Sequence, residues 1–128
     1  MGYYFAKVLT CSYQEAILRV KDALKTEGFG VLTEIDVKGT LKKKLDVNFR
    51  DYCILGACNP SFAHRALDTE RHAGLLLPCN VVVQATDKGT AEVSIIDPVA
   101  AIKAIDNPEL ATVASEVKAK LEKVITIL

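Results

Sequence analysis

The chain has 128 residues, half of them hydrophobic and a quarter charged, with only 7 Gly and 4 Pro. That suits a single domain over 1–128 and excludes disordered, collagen-like and low-complexity readings. Sixteen Lys and Arg balance sixteen Asp and Glu, so the formal net charge is zero, and no overall field draws the chain to nucleic acid or to an acidic lipid surface.

Tyr3 to Leu9 is apolar and aromatic enough for a first strand, which Thr10-Cys11-Ser12 breaks. Ser12 with Glu15 makes the Ser-x-x-Glu pattern of a capping box. Tyr13, Ile17, Val20 and Leu24 then recur at helical spacing until Gly28-Phe29-Gly30, which predicts a helix. Val31, Thr33, Ile35 and Val37 alternate with Leu32, Glu34 and Asp36, so the next element is expected to be a half-buried strand with a partly acidic second face. Lys38-Gly39-Thr40 is expected to end it. Leu41, Leu45 and Phe49 then suggest a short helical turn carrying Lys42, Lys43 and Lys44 on its outside, a charge run of the kind usually left to solvent. A third strand is expected from Arg50 to Ala57. Asn59-Pro60 follows as cap and first-turn proline of a helix running to about Ala73 and closed by Gly74.

Val81 to Ala85 and Ala91 to Ile96 are β-rich runs separated by Thr86-Asp87-Lys88-Gly89-Thr90, and they read as an antiparallel hairpin. Asp97-Pro98 and Asn107-Pro108 repeat the cap-plus-proline signature. In the last helix Leu110, Val113, Ala114, Val117, Leu121, Val124 and Leu128 form one apolar stripe that must pack on a sheet or on a partner. The order β-α-β-α-β-α-β-β-α-α predicts an α+β two-layer domain. No G-x-G-x-x-G follows a strand, and no G-x-x-x-x-G-K-[ST] or G-x-S-x-G occurs, so nucleotide cradles and serine hydrolase chemistry have no motif to stand on.

The start, Met1-Gly2-Tyr3-Tyr4-Phe5-Ala6-Lys7, has no basic leader followed by an apolar stretch, and Ala6 stands where N-myristoylation wants Ser or Thr. The longest apolar stretch, Gly74 to Ala85, is interrupted by Pro78 and Asn80 and falls short of the roughly 18 to 20 residues that span a bilayer. A cytoplasmic chain with no membrane association is expected.

Cys11, Cys53, Cys58 and Cys79 form no C-x-x-C pair, which argues against a zinc ribbon or a thioredoxin-type dithiol and for free thiols in a reducing compartment. Two segments carry a Cys and a Pro at an element boundary: Leu55-Gly56-Ala57-Cys58-Asn59-Pro60 and Leu75-Leu76-Leu77-Pro78-Cys79-Asn80. Cys58 is expected at a strand exit just before a helix N-terminus, where oriented N–H groups favour thiolate. Cys79 is expected to open the next strand. If that strand lies beside the third, the two sulfurs meet at one edge of the sheet, where they would bind a soft metal, carry sulfur or cycle through a disulfide. His64 or His72, on the intervening helix, would complete a metal site. The plainer alternative pairs His64 with Asp68 and Asp68 with His72 on the helix surface. Cys53 and Cys11 read as packing residues. Glu34 and Asp36 share a strand face, which suits a carboxylate pair for proton transfer or merely a solvated surface; Asp97 reads as a cap.

Glu27-Gly28-Phe29-Gly30-Val31 with Glu34-Ile35-Asp36-Val37, then Leu55-Gly56-Ala57-Cys58-Asn59-Pro60 and Leu76-Leu77-Pro78-Cys79, together resemble the DUF302 family of bacterial and archaeal domains of unknown function. The resemblance runs over nearly the whole chain. It implies a small α+β domain in which helices cover one curved, mainly antiparallel sheet, similar to the TATA-binding protein in fold class but without its DNA-binding chemistry. Because the family has no assigned activity, the resemblance carries over no catalytic residues and leaves any cofactor unknown. Many relatives have Gly-Asn-Pro and Leu-Pro without the cysteines, so Cys58 and Cys79 mark either a subgroup or two tight places in the fold.

Three functions are compatible with these residues. The first is a ligand- or metal-binding module with a pocket between sheet and helices for an apolar or partly polar ligand and a thiol-lined edge made by Cys58 and Cys79, with Asn59, Pro60 and Asp36 as further candidates and His64 as a third metal ligand. The second is a homodimeric structural or interaction domain. The third is an enzyme with Cys58 as nucleophile and His64 or Asp36 as base.

Overall fold

The first helix begins where its cap pattern requires. Ser12 Oγ accepts from the backbone N–H of Glu15 at 3.1 Å, and α1 runs Tyr13–Thr26 after strand β1, Tyr4–Leu9. These features come from a computed structural model that describes residues 2–128; Met1, where the leader and acylation readings start, lies outside the described residues. Strand β2, Gly30–Asp36, leads directly into helix α2, Val37–Leu45. Strand β3 is Tyr52–Cys58, helix α3 Pro60–Thr69, and a 3-10 turn covers Ala73–Leu76. Strands β4, Cys79–Ala85, and β5, Ala91–Ile96, form the expected hairpin, followed by the short α4, Pro98–Ala101, and the long α5, Pro108–Ile127.

All five strands join one antiparallel sheet in the order β1-β5-β4-β3-β2. The first two strands in sequence therefore occupy its opposite edges. The inner face carries Leu55, Val81, Val83, Val93 and Ile95, all with zero exposure, and α1 and α5 press onto it with Val20, Leu24, Leu121 and Val124. Six members of the α5 stripe, Leu110, Val113, Ala114, Val117, Leu121 and Val124, are buried. The stripe is covered within the chain by the sheet together with α1, α3 and α4. No helix among the described residues is long and apolar enough to cross a membrane.

Two element boundaries differ from expectation, each for a local reason. Lys38-Gly39-Thr40 does not end β2 but lies inside α2, because Asp36 caps that helix: its carboxylate accepts from Gly39 N–H at 3.0 Å. A Cβ at Gly39 would stand 2.5 Å from Asp36 Oδ2, so this glycine makes room for a cap rather than breaking a strand. Helix α3 stops at Thr69, four residues early. Asn107, the cap of α5, donates from Nδ2 to the Thr69 carbonyl at 2.9 Å while its Oδ1 accepts from Leu110 N–H at 3.1 Å. One asparagine thus ends α3 and starts α5. Asp97 caps α4 by accepting from Val99 and Ala100 N–H, and in addition it meets Lys118 Nζ at 3.1 Å.

Candidate functional site

The distinctive residues converge at the end of the sheet where β3 finishes and β4 starts. Ala57 pairs with Cys79, and Gly56 with Asn80, so Cys58-Asn59 and Cys79-Asn80 are brought side by side by neighbouring antiparallel strands. Gly56 makes this close approach possible. A Cβ there would lie 2.7 Å from Pro78 Cγ and closer still to Thr33 Oγ1. Thr33 faces it across a register shift in β2 between Val31 and Thr33. The Leu77-Pro78 peptide bond is cis. Strand β2 and Pro78 therefore both lean on the one position in β3 that has no side chain.

Around this end of the sheet runs a cavity of about 560 Å³, within the range of roughly 300–1,000 Å³ typical of small-molecule sites. Its walls come from α3, the 3-10 turn, α4 and α5, with Phe62, Ala66, Ile102, Leu110 and Val113 among them. The leucines Leu32, Leu67 and Leu75 also line it and are 68%, 45% and 84% exposed. They place unusually accessible apolar side chains on its solvent side. No Lys, Arg, His, Asp or Glu lines the cavity, and its polar side chains are those of Cys58, Asn59, Cys79 and Asn80.

These four groups are differently engaged. Asn59 holds the cap position of α3 but makes no cap hydrogen bond; its Nδ2 instead donates to the Glu27 carbonyl at the end of α1, at 3.2 Å. The cap expected from Asn59-Pro60 is thus a tie between two helices, while Pro60 fills the first turn of α3 as expected. Cys79 is buried, and its thiol pKa is pushed up to about 11 by loss of solvent, with the neighbouring Cys58 as the smaller cause. It is a neutral thiol at ordinary pH. Cys58 is half-buried, and both sulfurs are free thiols.

The remaining candidates lie elsewhere. His64 is exposed on α3 with Nε2 3.5 Å from Asp68, and His72 faces Glu70 at 3.6 Å because the helix has already ended. Among the described residues no three His, Cys, Asp or Glu side chains are grouped to hold a metal, so the combination of Cys58, Cys79 and His64 does not assemble. Asp36 pairs with Cys53, whereas Cys58 pairs with Gly30. Six positions of strand, roughly 20 Å at about 3.3 Å per residue, separate Asp36 from the Cys58 end. Neither His64 nor Asp36 is in place as a base for Cys58. Glu34 bonds Lys21 at 2.8 Å on the surface, and Cys53 packs in the core, its thiol pushed up mainly by burial. A pocket between sheet and helices is expected from the sequence, but the sequence does not single out the residues of its helix-borne wall. Its signal was the small residues Ala63 and Ala66 on α3, Ala101 on α4 and Ala114 on α5, which leave volume where leucines would close the layer.

The sheet order, the single helical layer and the charge-free cavity define a two-layer α+β domain of the TATA-binding-protein-like class. The sequence profile described as "Domain of unknown function DUF302" matches residues 5–128, and the chain belongs to that family. It is similar to a solved structure described as an uncharacterized conserved protein DUF302 from Bacillus stearothermophilus, with 30% identity, a TM-score of 0.87 and 94% of each chain covered. No curated protein matches the chain.

Proposed function

We propose that this protein is a binding module for an apolar small molecule held in the cavity beside Cys58 and Cys79. The observation that carries this reading is the cavity lining: about 560 Å³ bounded by aliphatic and aromatic side chains with no ionisable carboxylate, amine or imidazole. Such a space is poorly suited to water, which needs several polar partners to be held, and well suited to hydrocarbon, whose transfer is favourable by about 25 cal/mol per Å² of apolar surface removed from water. The thiols form part of its polar end. The test is a titration of the purified protein with N-phenyl-1-naphthylamine, an uncharged fluorophore that brightens in apolar surroundings. Saturable one-to-one binding is expected, and Ala114→Phe, which projects a ring from α5 into the cavity, should abolish it while thermal unfolding stays cooperative. Ala63→Leu, on the more exposed α3, provides a milder block. Absence of saturable binding to the unsubstituted protein would refute the reading.

A second reading, self-association, is favoured by the sheet's other face. No helix layer comparable to α1 and α5 lies over it. Tyr4, Val8 and Ile35 stand there 50%, 55% and 47% exposed beside the half-buried Ile54 and Val82. Among the strand residues of this face the one charged side chain is Glu92, and Arg50, just before β3, is tied to the face through Gln84 at 2.9 Å. A second copy related by a two-fold axis would meet it without like charges being forced together. Sedimentation equilibrium at micromolar concentration should give the mass of two chains, and Val82→Lys should return one. A single-chain mass for the unsubstituted protein removes this reading.

A further inference from the structure

We infer that the cavity selects an uncharged amphiphile: an apolar body lying against α3, α4 and α5, and a neutral hydrogen-bonding head, a hydroxyl or carboxamide, at the β3–β4 end. The inference rests on the binding-module reading and adds the ligand's polarity and orientation. Its basis is the segregation of the lining. Because Ala57 pairs with Cys79 and Gly56 with Asn80, the polar groups Cys58, Asn59, Cys79 and Asn80 all fall on the strand-end side, while the helical walls offer only carbon. A ligand polar throughout would strand its groups against those walls, and a pure hydrocarbon would leave the polar groups at the strand end unused.

The head's chemistry follows from what these side chains still offer. Asn59 has committed Nδ2 to the Glu27 carbonyl, which leaves Oδ1 as an acceptor. Asn80 is exposed on β4 and makes no side-chain hydrogen bond among the described residues, so its amide offers both donor and acceptor. A primary carboxamide or an alcohol can donate to one and accept from the other. A carboxylate head would enter a site with no cation, beside a Cys79 thiol that burial keeps protonated, and an ammonium would find no carboxylate. Both charged heads are disfavoured for the same reason.

The test is displacement of N-phenyl-1-naphthylamine by four compounds of equal chain length at pH 8: dodecanamide, 1-dodecanol, dodecanoate and dodecylamine. The amide and alcohol should displace the probe at concentrations about tenfold lower than the acid and the amine. Asn80→Ala should weaken dodecanamide severalfold more than it weakens the probe, which lacks the carboxamide head. Asn80→Lys, at an exposed position that tolerates it, should raise the affinity for dodecanoate. Equal displacement by acid and amide, or an Asn80→Ala variant indistinguishable from the parent, would overturn the selectivity while leaving an apolar cavity in place. Failure of the probe to bind at all would instead overturn the binding-module reading and this inference with it.

Discussion

Gly56→Ala is the substitution that most directly probes how the site end of the sheet is built. The new methyl group would meet Pro78 Cγ at 2.7 Å and the Thr33 hydroxyl more closely, whereas carbon atoms rest at about 3.5–4.0 Å. Relief requires β2 or the Pro78 segment to retreat by about 1 Å. Overpacking of this kind costs about 1–3 kcal/mol, and the stiffer unfolded chain returns about 0.4–1 kcal/mol, so a net loss centred on about 1.3 kcal/mol and no larger than about 2.6 kcal/mol is expected. Urea unfolding followed by far-ultraviolet circular dichroism reads this as a lower midpoint at unchanged slope. Thr33→Ala in the same chain removes the hydroxyl and should recover part of the loss, giving a coupling of about 0.5–3 kcal/mol between the two positions. A Gly56→Ala protein as stable as the parent, or additive single and double variants, would refute the claim that β2 and Pro78 converge on this residue.

Three further outcomes follow from the structure. The folded Cys79 thiol has its pKa raised to about 11 from 9.0, so folding opposes its ionisation; the stability is intact below pH 9 and is lost as pH rises toward 11. Relative to Cys79→Ala, the parent protein should lose roughly 2–3 kcal/mol across that window, and parallel pH profiles of the two proteins would count against a buried neutral thiol. Asn107→Ala removes the α5 cap and the tie to Thr69; a loss of about 1–2 kcal/mol is expected in thermal unfolding. Leu121→Ala, at a fully buried position between α5 and the sheet, should cost about 2–5 kcal/mol by denaturant titration.

The parts of the fold that were legible in the sequence are those where one local signal decides the structure. The Ser12–Glu15 spacing, the α5 stripe from Leu110 to Val124 and the hairpin around Gly89 each place an element within a residue or two. Cys58 at a strand exit and Cys79 opening the adjacent strand also emerged as expected. What escaped was decided by contacts between distant residues. Gly39 reads as a stop until Asp36 is seen folded over it, and Asn59 reads as a cap until Glu27 is found across the helix layer, 32 positions away. His64 and Asp36 were plausible partners for a sulfur by residue type alone; only the strand register and the exposed face of α3 separate them from it. A pocket between sheet and helices was legible as a possibility; the residues of its helical wall were not, because that wall arises from alanines on three helices meeting in space.

The strand order has a consequence for how the chain comes together. Strands β1 and β2 sit at opposite edges of the sheet, and β1 finds its partner only in β5, Leu9 opposite Ala91 and Tyr4 opposite Ile96. During synthesis β1 therefore has no strand to pair with until β5 has been made, Ala91 lying 82 positions (91 − 9) beyond its partner Leu9, and the loop it must close is among the longest the chain offers. β2, β3 and β4 can zip as neighbours beforehand, but the helix that seals the inner face, α5, comes after β5 in the chain. Assembly of the domain thus waits for its last elements, with non-local pairings that slow folding. The strand nearest the start of the chain is the last one able to take its place.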